Sequence, residues 1–354
     1  MKLIGNANII GQINIAILAA REQNRPIPHM LLSGAAGCGK TSTARYIAEL
    51  TGSDLIMASA DSVKSREDVL SIIGQMNHRG YDKYGRKIST TQPSIVFIDE
   101  VHNVPISGQE HMGIVMEEWY LPVTKREANV DAKNVKNRDN AIRWSPEFTL
   151  IGATTNDGDL SKPFRDRFKL RFLFSTYSLD DSMLIAKEHA MHLDIILDDN
   201  NAAMEIAKRG RGVPRTIVSL LERCRDTALA CKDDPGSWKD VDMVEVNHAI
   251  TVVTFDNLGI DKTGLTKTDI NILKALYESV DAVGLDNLAV LLNESTKVLS
   301  EAVEPYLIQR GLIIRTGKGR KITDKGLQYL MENGYIKFEM NKKYDIPRNF
   351  DRGL

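Results

Sequence analysis

Short apolar runs alternate with amphipathic stretches in the first half of the chain. The runs HMLLS (29–33), SIVFI (94–98) and EFTLIG (147–152) are bounded by turn-forming residues, and helical patterns such as TSTARYIAEL lie between them. Short continuous apolar runs of this kind are typical of strands buried on both faces. The pattern predicts an α/β fold in which helices cover a parallel sheet.

The second half of the chain has a different pattern. From about residue 179 the apolar residues follow helical spacing, as in SMLIAKEHAMHL, and no convincing strand is found. Three more helical patterns follow the linker FDNLGIDKTGL and lead to LIIRTGKGRKITD, whose Gly-rich basic tip is typical of a hairpin. We therefore predict an α/β domain (1–178), a small all-helical domain (179–254), a winged-helix domain (255–337) and a polar tail (338–354).

Composition agrees with a globular protein of several domains. The 354 residues are 42% hydrophobic and 26% charged, and the formal net charge of −1 means that any site for a polyanion must be a local patch. Cys38, Cys224 and Cys231 fit no metal-ligand spacing and are too few for a disulfide framework. This cysteine usage suggests a reducing compartment, so we expect a cytoplasmic protein. No apolar stretch approaches 18 residues, so we expect no membrane span.

GAAGCGKT, at residues 34–41, matches the P-loop pattern between a predicted strand and a predicted helix. Its glycines allow backbone N–H groups to turn towards phosphate oxygens, and the helix N-terminus adds a partial positive charge. We expect Lys40 to reach the β- and γ-phosphates and the Thr41 hydroxyl to ligate Mg²⁺. The predicted ATP-binding residues of this loop are Gly34, Gly37, Cys38, Gly39, Lys40, Thr41 and Ser42.

Two further strands end in polar groups. IVFIDEVH (95–102) ends in two carboxylates, of which Asp99 is expected to hold Mg²⁺ and Glu100 to act as the base for the attacking water. FTLIGATTN ends in Thr154, Thr155 and Asn156, which could bond a γ-phosphate or position water. The order of these motifs along the chain predicts one nucleotide site.

The motifs GAAGCGKT, IDEVH, GATTN, RDRF and RGVPRT, in this order, resemble those of AAA+ ATPases and more closely those of the RuvB family of Holliday junction motors. IIGQ (9–12) is similar to the start of that family's nucleotide domain, and AVEPYLIQRGLIIRTGKGR (302–320) is similar to its winged helix. The resemblance implies an AAA+ ATPase with a helical lid, a hexameric ring that acts as a helicase on double-stranded DNA. It also implies branch migration at four-way junctions in recombination and repair.

The resemblance assigns roles to single residues. Thr155 matches sensor 1, Arg215 matches the sensor 2 arginine that contacts the γ-phosphate in its own subunit, and Arg167 matches the arginine finger that reaches the adjacent subunit's nucleotide. Arg167 therefore predicts an oligomer. The remaining residues that the resemblance places around ATP are Pro214, Ile9, Ile10 and Tyr177.

The basic stretch PFRDRFKLRF (163–172), which contains Arg167, admits a simpler interpretation as a solvated face. That interpretation is kept for Lys169 and Arg171. The role of Arg165 is left open: it could support the finger, support an interface, or pair with Asp166 or another acid.

Two segments depart from the family pattern. MNHRGYDKYGRKISTTQP (76–93) is an insertion, either a surface loop or a pore loop that touches DNA. REANVDAKNVKNRDN (126–140) is polar where RuvB has an apolar hairpin tip that docks onto RuvA, so standard RuvA docking is doubtful. Both departures fit a divergent copy, such as one carried by a phage, working alone or with another junction binder.

Basic residues concentrate near the predicted hairpin: residues 310–325 contain six, against one acid. We expect Arg315, Lys318, Arg320 and Lys321 to contact DNA phosphates, which positions a duplex without reading its bases. Two other functions stay open. One is a clamp-loader-like switch, which the winged helix argues against; the other is an ATP-controlled initiator or regulator, which would bind a defined sequence.

Overall fold

The computed structural model describes residues 3–76, 92–122, 142–197, 200–231, 243–279 and 281–336. The chain divides into two compact units, the first formed by Met1–Ile185 with Gly212–Thr216 and the second by Ala186–Arg211 with Ile217–Leu354. Most of the predicted insertion (77–91), the polar stretch 126–140 and the tail 338–354 lie outside the described residues.

A five-stranded parallel sheet forms the centre of the first unit. The strands of this unit are β1 Met30–Gly34, β2 Leu55–Ser59, β3 Ser94–Asp99, β4 Tyr120–Pro122, β5 Ile142–Trp144, β6 Phe148–Thr154 and β7 Leu170–Phe174. Its helices are α1 Ala7–Glu22, α2 Lys40–Thr51, α3 Arg66–Gln75, α4 Ile106–Glu118, α5 Lys162–Asp166 and the first part of α6 Leu179–His192. The sheet order is β2-β3-β6-β1-β7, and β4 and β5 form a separate antiparallel pair.

Both faces of the sheet are covered, as the continuous apolar runs predict. Met30 and Leu32 of β1 join a core with α1 and α2, whereas Leu31, which points to the other face, joins a core with α3 and α4. The predicted strands β1, β3 and β6 are confirmed. The edge strands β2 and β7 were not predicted. β2 (LIMAS) is a short run with no buried residue, and β7 (LRFLF) contains Arg171 and overlaps the basic stretch.

The second unit contains the lid helices and the winged helix. Its helices are α7 Asn200–Arg209, α8 Pro214–Ala230, which begins in the first unit, α9 His248–Leu258, α10 Lys267–Glu278, α11 Leu285–Leu292, α12 Thr296–Val298, α13 Glu304–Gln309 and α14 Asp324–Glu332. Its strands are β8 Ile195–Leu197, β9 Val244–Val246, β10 Ile313–Thr316 and β11 Gly319–Ile322.

The all-helical prediction for residues 179–254 is wrong in one detail. β8 and β9 pair in parallel, with Ile195 opposite Val244 and Leu197 opposite Val246. Three-residue strands are too short to show a period of two, and their pairing joins segments distant in sequence, so local pattern does not reveal them.

The winged helix follows the prediction. β10 and β11 form the antiparallel hairpin, and Val283 extends it through a bridge to Arg320. A core that includes Leu273, Leu307 and Ile313 joins the helices to the hairpin. Within the described residues, no helix has the length and apolar content needed to cross a bilayer.

Candidate functional site

The sheet order brings three motifs to one edge. β6 lies between β1 and β3, and all three strands run parallel, so their carboxyl ends meet. The P-loop follows β1, Asp99 ends β3, and Thr154 ends β6 with Thr155 directly after it. Ligand sites in α/β proteins form at this edge of the sheet.

The backbone of the P-loop needs glycine at two close approaches. Gly34 has φ 140°, and a Cβ atom there would lie 2.3 Å from the carbonyl oxygen of Phe174. Gly37 has φ 79°, and a Cβ atom there would lie 2.8 Å from Cβ of Arg215. The loop is thus packed against both β7 and the residues that open α8.

Lys40 opens α2 and is folded back over the loop. Its Nζ donates hydrogen bonds to the carbonyl oxygens of Gly34 (2.6 Å) and Ala35 (3.0 Å). Burial lowers the pKa of Lys40, the carboxylates of Glu100 and Asp99 oppose that shift, and the charge of Arg215 adds to it. These influences place both acids and the arginine in one electrostatic environment with Lys40. Burial likewise raises the pKa of the Cys38 thiol, which stays protonated at neutral pH.

Glu100 is held by a network from two strands. Its Oε2 accepts a hydrogen bond from Oγ1 of Thr155 (3.1 Å), and Nδ1 of His102 lies 3.2 Å from the same oxygen. That nitrogen is also 2.9 Å from Oγ1 of Thr154, which is fully buried. Asp99 contributes an acceptor for the Glu100 backbone N–H (3.0 Å). Glu100 itself adopts φ 47°, which turns the chain away from the strand.

The structure therefore joins Glu100 and Thr155, which the motifs predicted separately. It adds one residue that was not predicted, His102, and shows that His102 contacts Thr154, whose hydroxyl was expected to bond a γ-phosphate or position water. His102 lies inside the quoted motif IDEVH, so its position was a usable signal.

Tyr177 lies on the P-loop backbone. Its hydroxyl donates to the Cys38 carbonyl oxygen (3.2 Å), and its backbone N–H donates to the carbonyl oxygen of Gly212 (2.8 Å). Burial raises the pKa of this phenol, so it remains a donor at neutral pH. Of the two predicted adenine-side isoleucines in α1, Ile9 packs against the core that contains Met30, and Ile10 is partly buried. Pro214 is the first residue of α8.

Arg167 is held on α4 within its own chain. Its Nη2 donates to Oε2 of Glu117 (2.8 Å) and its Nη1 to the carbonyl oxygen of Pro163 (2.7 Å). The guanidinium lies across Gly113, where an added Cβ would come within 3.2 Å of it.

The other basic residues of this stretch are also placed. Asp166 pairs with Arg171 (3.1 Å), whereas Arg165 Nη1 lies 3.5 Å from the carbonyl oxygen of Asp157. The pairing of Arg165 with Asp166, one of the alternatives left open by the sequence, is not the arrangement observed.

Two arginines of the winged helix, Arg315 and Arg320, bind the same carboxylate, which the sequence analysis did not identify. Glu304 is fully buried and accepts from Arg315 (2.6 and 2.9 Å) and from Arg320 (2.6 and 3.1 Å). The Arg315 side chain is about half exposed, but that of Arg320 is only 15% exposed. Lys318 and Lys321 are exposed on the hairpin.

The donor set at the sheet edge fits Mg²⁺ bound together with phosphate. Within the described residues, no group of three or more His, Cys, Asp or Glu side chains is placed to hold a metal ion. Mg²⁺ typically takes one or two protein oxygen ligands and completes its shell with phosphate and water. The Asp99 carboxylate and the hydroxyl of Thr41, which follows Lys40 in sequence, are oxygen donors of this kind.

Comparisons with known proteins cover all three regions. A family model described as the Holliday junction DNA helicase RuvB P-loop domain matches residues 1–173. Models described as the RuvB AAA lid domain and the RuvB C-terminal winged helix domain match residues 177–255 and 262–331.

Similarity to individual proteins extends over nearly the whole chain. The Holliday junction branch migration complex subunit RuvB of Ehrlichia ruminantium (strain Gardel) is 33% identical over 336 residues, which are 94% of this chain and 91% of that protein. The same subunit of Orientia tsutsugamushi (strain Boryong) is 33% identical over 329 residues, 92% of this chain and 91% of that protein. The solved RuvB Holliday junction branch migration motor of Thermotoga maritima is 30% identical, has a TM-score of 0.70, and covers 92% of this chain and 95% of its own.

Proposed function

This chain belongs to the RuvB family, and from that membership we propose that it hydrolyses ATP to drive branch migration of Holliday junctions. The observation that carries the proposal is the meeting of Lys40, Glu100 and Thr155 at one sheet edge, in a chain that also has a winged helix. Its domains are an AAA+ domain (1–178), a lid (179–254) and a winged helix (255–337).

The P-loop binds the phosphates of ATP. Backbone N–H groups of the loop and the N-terminus of α2 stabilise the negative charge of the phosphates. Lys40 exchanges its two carbonyl partners for phosphate oxygens. Asp99 and Thr41 would hold Mg²⁺, which would neutralise part of the negative charge of the ATP phosphates. Tyr177 fixes the backbone of the loop at Cys38, next to the predicted adenine side formed by Ile9 and Ile10.

Glu100 accepts a proton from the attacking water. Because Thr155 donates to one carboxylate oxygen and His102 lies against the same atom, the second oxygen is left to face water. Such positioning of a general base contributes about 10²–10⁴-fold to a rate. Arg215, packed on Gly37 of the P-loop, contacts the γ-phosphate in the same subunit.

Arg167 completes the site of a neighbouring subunit. An arginine that stabilises transition-state charge in trans requires a ring in which each subunit contacts the next, and we propose the hexamer of the family. Glu117 and Gly113 hold its guanidinium on α4.

Double-stranded DNA at the four-way junction is held by the wing. Lys318 and Lys321 supply exposed charge, whereas Arg315 and Arg320 share the buried carboxylate of Glu304 and present a fixed surface. We propose that the protein is cytoplasmic. We also propose that its junction-binding partner does not dock onto an apolar hairpin tip, because the stretch 126–140 is polar.

The test is release of labelled arms from a synthetic four-way junction in the presence of ATP and Mg²⁺, with and without candidate partner proteins. The unmodified chain releases the arms, and Glu100→Gln binds ATP but does not. Glu118→Gln, an exposed carboxylate on α4, is the matched control and retains activity. Hydrolysis that opens a protein ring without moving the junction would favour the clamp-loader alternative, and a footprint at one defined sequence would favour the regulator.

A further inference from the structure

Arg211 joins the lid to the winged helix within the second unit. Its guanidinium pairs with the carboxylate of Asp269 in α10, and its Nε donates to the carbonyl oxygen of Gly264 (2.8 Å). It also stacks on the ring of Tyr306 in α13, with 4.3 Å between the guanidinium carbon and the ring centroid. One lid side chain thus contacts three separate segments of the winged-helix region.

The acceptor of this ion pair is fully buried. Asp269 also caps α10, because its Oδ2 accepts from the backbone N–H and the hydroxyl of Thr266 (2.7 Å each). The hydroxyl of Tyr306 donates to the carbonyl oxygen of Thr263 (3.0 Å), which fixes the ring under the guanidinium. A buried carboxylate needs a charged partner, so Arg211 is held firmly in this position.

The backbone of Arg211 is unusual as well. Its φ is 55°, a left-handed conformation that is costly for a residue other than glycine and that persists only where the surroundings enforce it. Arg211 is bonded to Gly212, which opens the segment Gly212–Thr216. Within the first unit, Val213 and Arg215 of that segment pack on Gly37 of the P-loop.

We propose that Arg211 is a positioning residue that couples the winged helix to the nucleotide sensor Arg215. The contacts of Arg211 fix one end of a four-residue connection whose other end is the sensor arginine. DNA held by the winged helix therefore changes the position of Arg215 at the γ-phosphate, and ATP in turn changes how the winged helix holds DNA, since coupling between sites is reciprocal. This inference rests on the proposed function, because it assumes that DNA and ATP bind at the sites given above.

The experiment measures ATP hydrolysis by the full chain with and without duplex DNA, together with ATP affinity, DNA affinity and thermal unfolding. Arg211→Lys keeps a positive charge near Asp269 but cannot make the forked contacts or the planar stack. The double variant Arg211→Met with Asp269→Asn removes the ion pair without leaving a buried unpaired charge. Arg223→Met is the control, since this exposed arginine on α8 pairs with Asp226 in its own helix.

We expect both Arg211 variants to keep basal hydrolysis and each affinity measured without the other ligand, and to lose most of the stimulation of hydrolysis by DNA. The change in ATP affinity that DNA causes in the unmodified chain, at least about fivefold at the lower end of typical coupling, should be lost with it. The control keeps its stimulation. If folded Arg211 variants were still stimulated by DNA, this inference would be overturned while the proposed function would stand. The same holds if the double variant failed to fold or lost DNA binding. An unmodified chain that DNA does not stimulate would overturn the proposed function and this inference with it.

Discussion

His29 is a single side chain whose environment makes stability depend on pH. Its Nδ1 accepts from the Leu150 backbone N–H (2.9 Å) and its Nε2 lies 3.1 Å from the Met116 carbonyl oxygen, so the neutral ring satisfies both. Burial, opposed by the Met116 hydrogen bond and aided by the charge of Lys169, lowers the pKa of His29 to about 4 from its ordinary 6.5. Protonation of Nδ1 would set two donors against each other, the ring N–H and the backbone N–H of Leu150.

The sign of the pH dependence follows from this lowered pKa. Between pH 6.5 and about 4 the unfolded chain binds a proton that the folded chain refuses. The contribution of neutral His29 to the free energy of unfolding is therefore complete above pH 6.5. It is lost as the pH falls towards about 4, by up to roughly 3 kcal/mol. His29→Gln, whose amide has both an acceptor and a donor, should flatten this part of the profile in urea unfolding from pH 7.5 to 4.5. His248→Gln, at an exposed position, should not, and equal slopes in all three proteins would contradict the assignment.

Sequence motifs were enough to name candidate site residues, but they could not predict contacts that depend on the tertiary structure. Glu100 and Thr155 were identified from their motifs, and the structure adds that they touch. Glu304 was not identified, because an acid in a helical pattern reads as solvent-facing, and only the fold buries it under two arginines. The partner of Arg167 on α4 is 50 residues away in sequence and equally invisible to local pattern.

At the scale of elements, burial on both faces decided which strands could be predicted. β1, β3 and β6 lie inside the sheet, whereas β2 and β7 lie at its edges. β2 (LIMAS) has no buried residue, and β7 (LRFLF) contains Arg171. The pair β8–β9 needed a partner about 50 residues away, which pattern does not supply. The β10–β11 hairpin was predictable because glycines and basic residues mark its tip.

That hairpin gives a prediction about DNA affinity. Lys318 and Lys321 are exposed, so replacing either by alanine should weaken binding about equally for all sequences and reduce the salt slope by about 1. The measurement is duplex affinity at several salt concentrations. Lys274→Ala is a control from the same domain, since this lysine lies over the ring of Tyr335 (5.3 Å). An unchanged slope in both hairpin variants would contradict a phosphate contact.

Arg320 should behave differently from these lysines. Its guanidinium is mostly buried against Glu304, so Arg320→Ala leaves a buried carboxylate with one partner fewer. The loss of DNA affinity in that variant is therefore accompanied by a lower melting temperature, which the lysine variants do not show.

At the scale of the whole molecule, the proposed arginine-finger role of Arg167 predicts that activity requires contact between subunits. Within the chain this guanidinium is held by Glu117 and Pro163, and its proposed role is at the nucleotide of a neighbour. An arginine finger supplied in trans is worth about 10³–10⁵-fold in rate. Arg167→Ala alone should therefore hydrolyse ATP very slowly, whereas Arg171→Ala, which removes an arginine paired with Asp166 in the same stretch, should not.

Mixing two inactive variants shows whether Arg167 acts on the nucleotide of a neighbouring subunit or on that of its own subunit. In a 1:1 mixture of Arg167→Ala and Glu100→Gln subunits, about a quarter of the interfaces join an intact Glu100 site to a neighbour with an intact Arg167. Hydrolysis should therefore rise well above that of either variant alone. If Arg167 acted only within its own subunit, no site in the mixture would have both residues and the rate would stay at the level of the separate variants. The measurement is steady-state phosphate release after the subunits have been allowed to exchange, with each variant alone at the same total concentration.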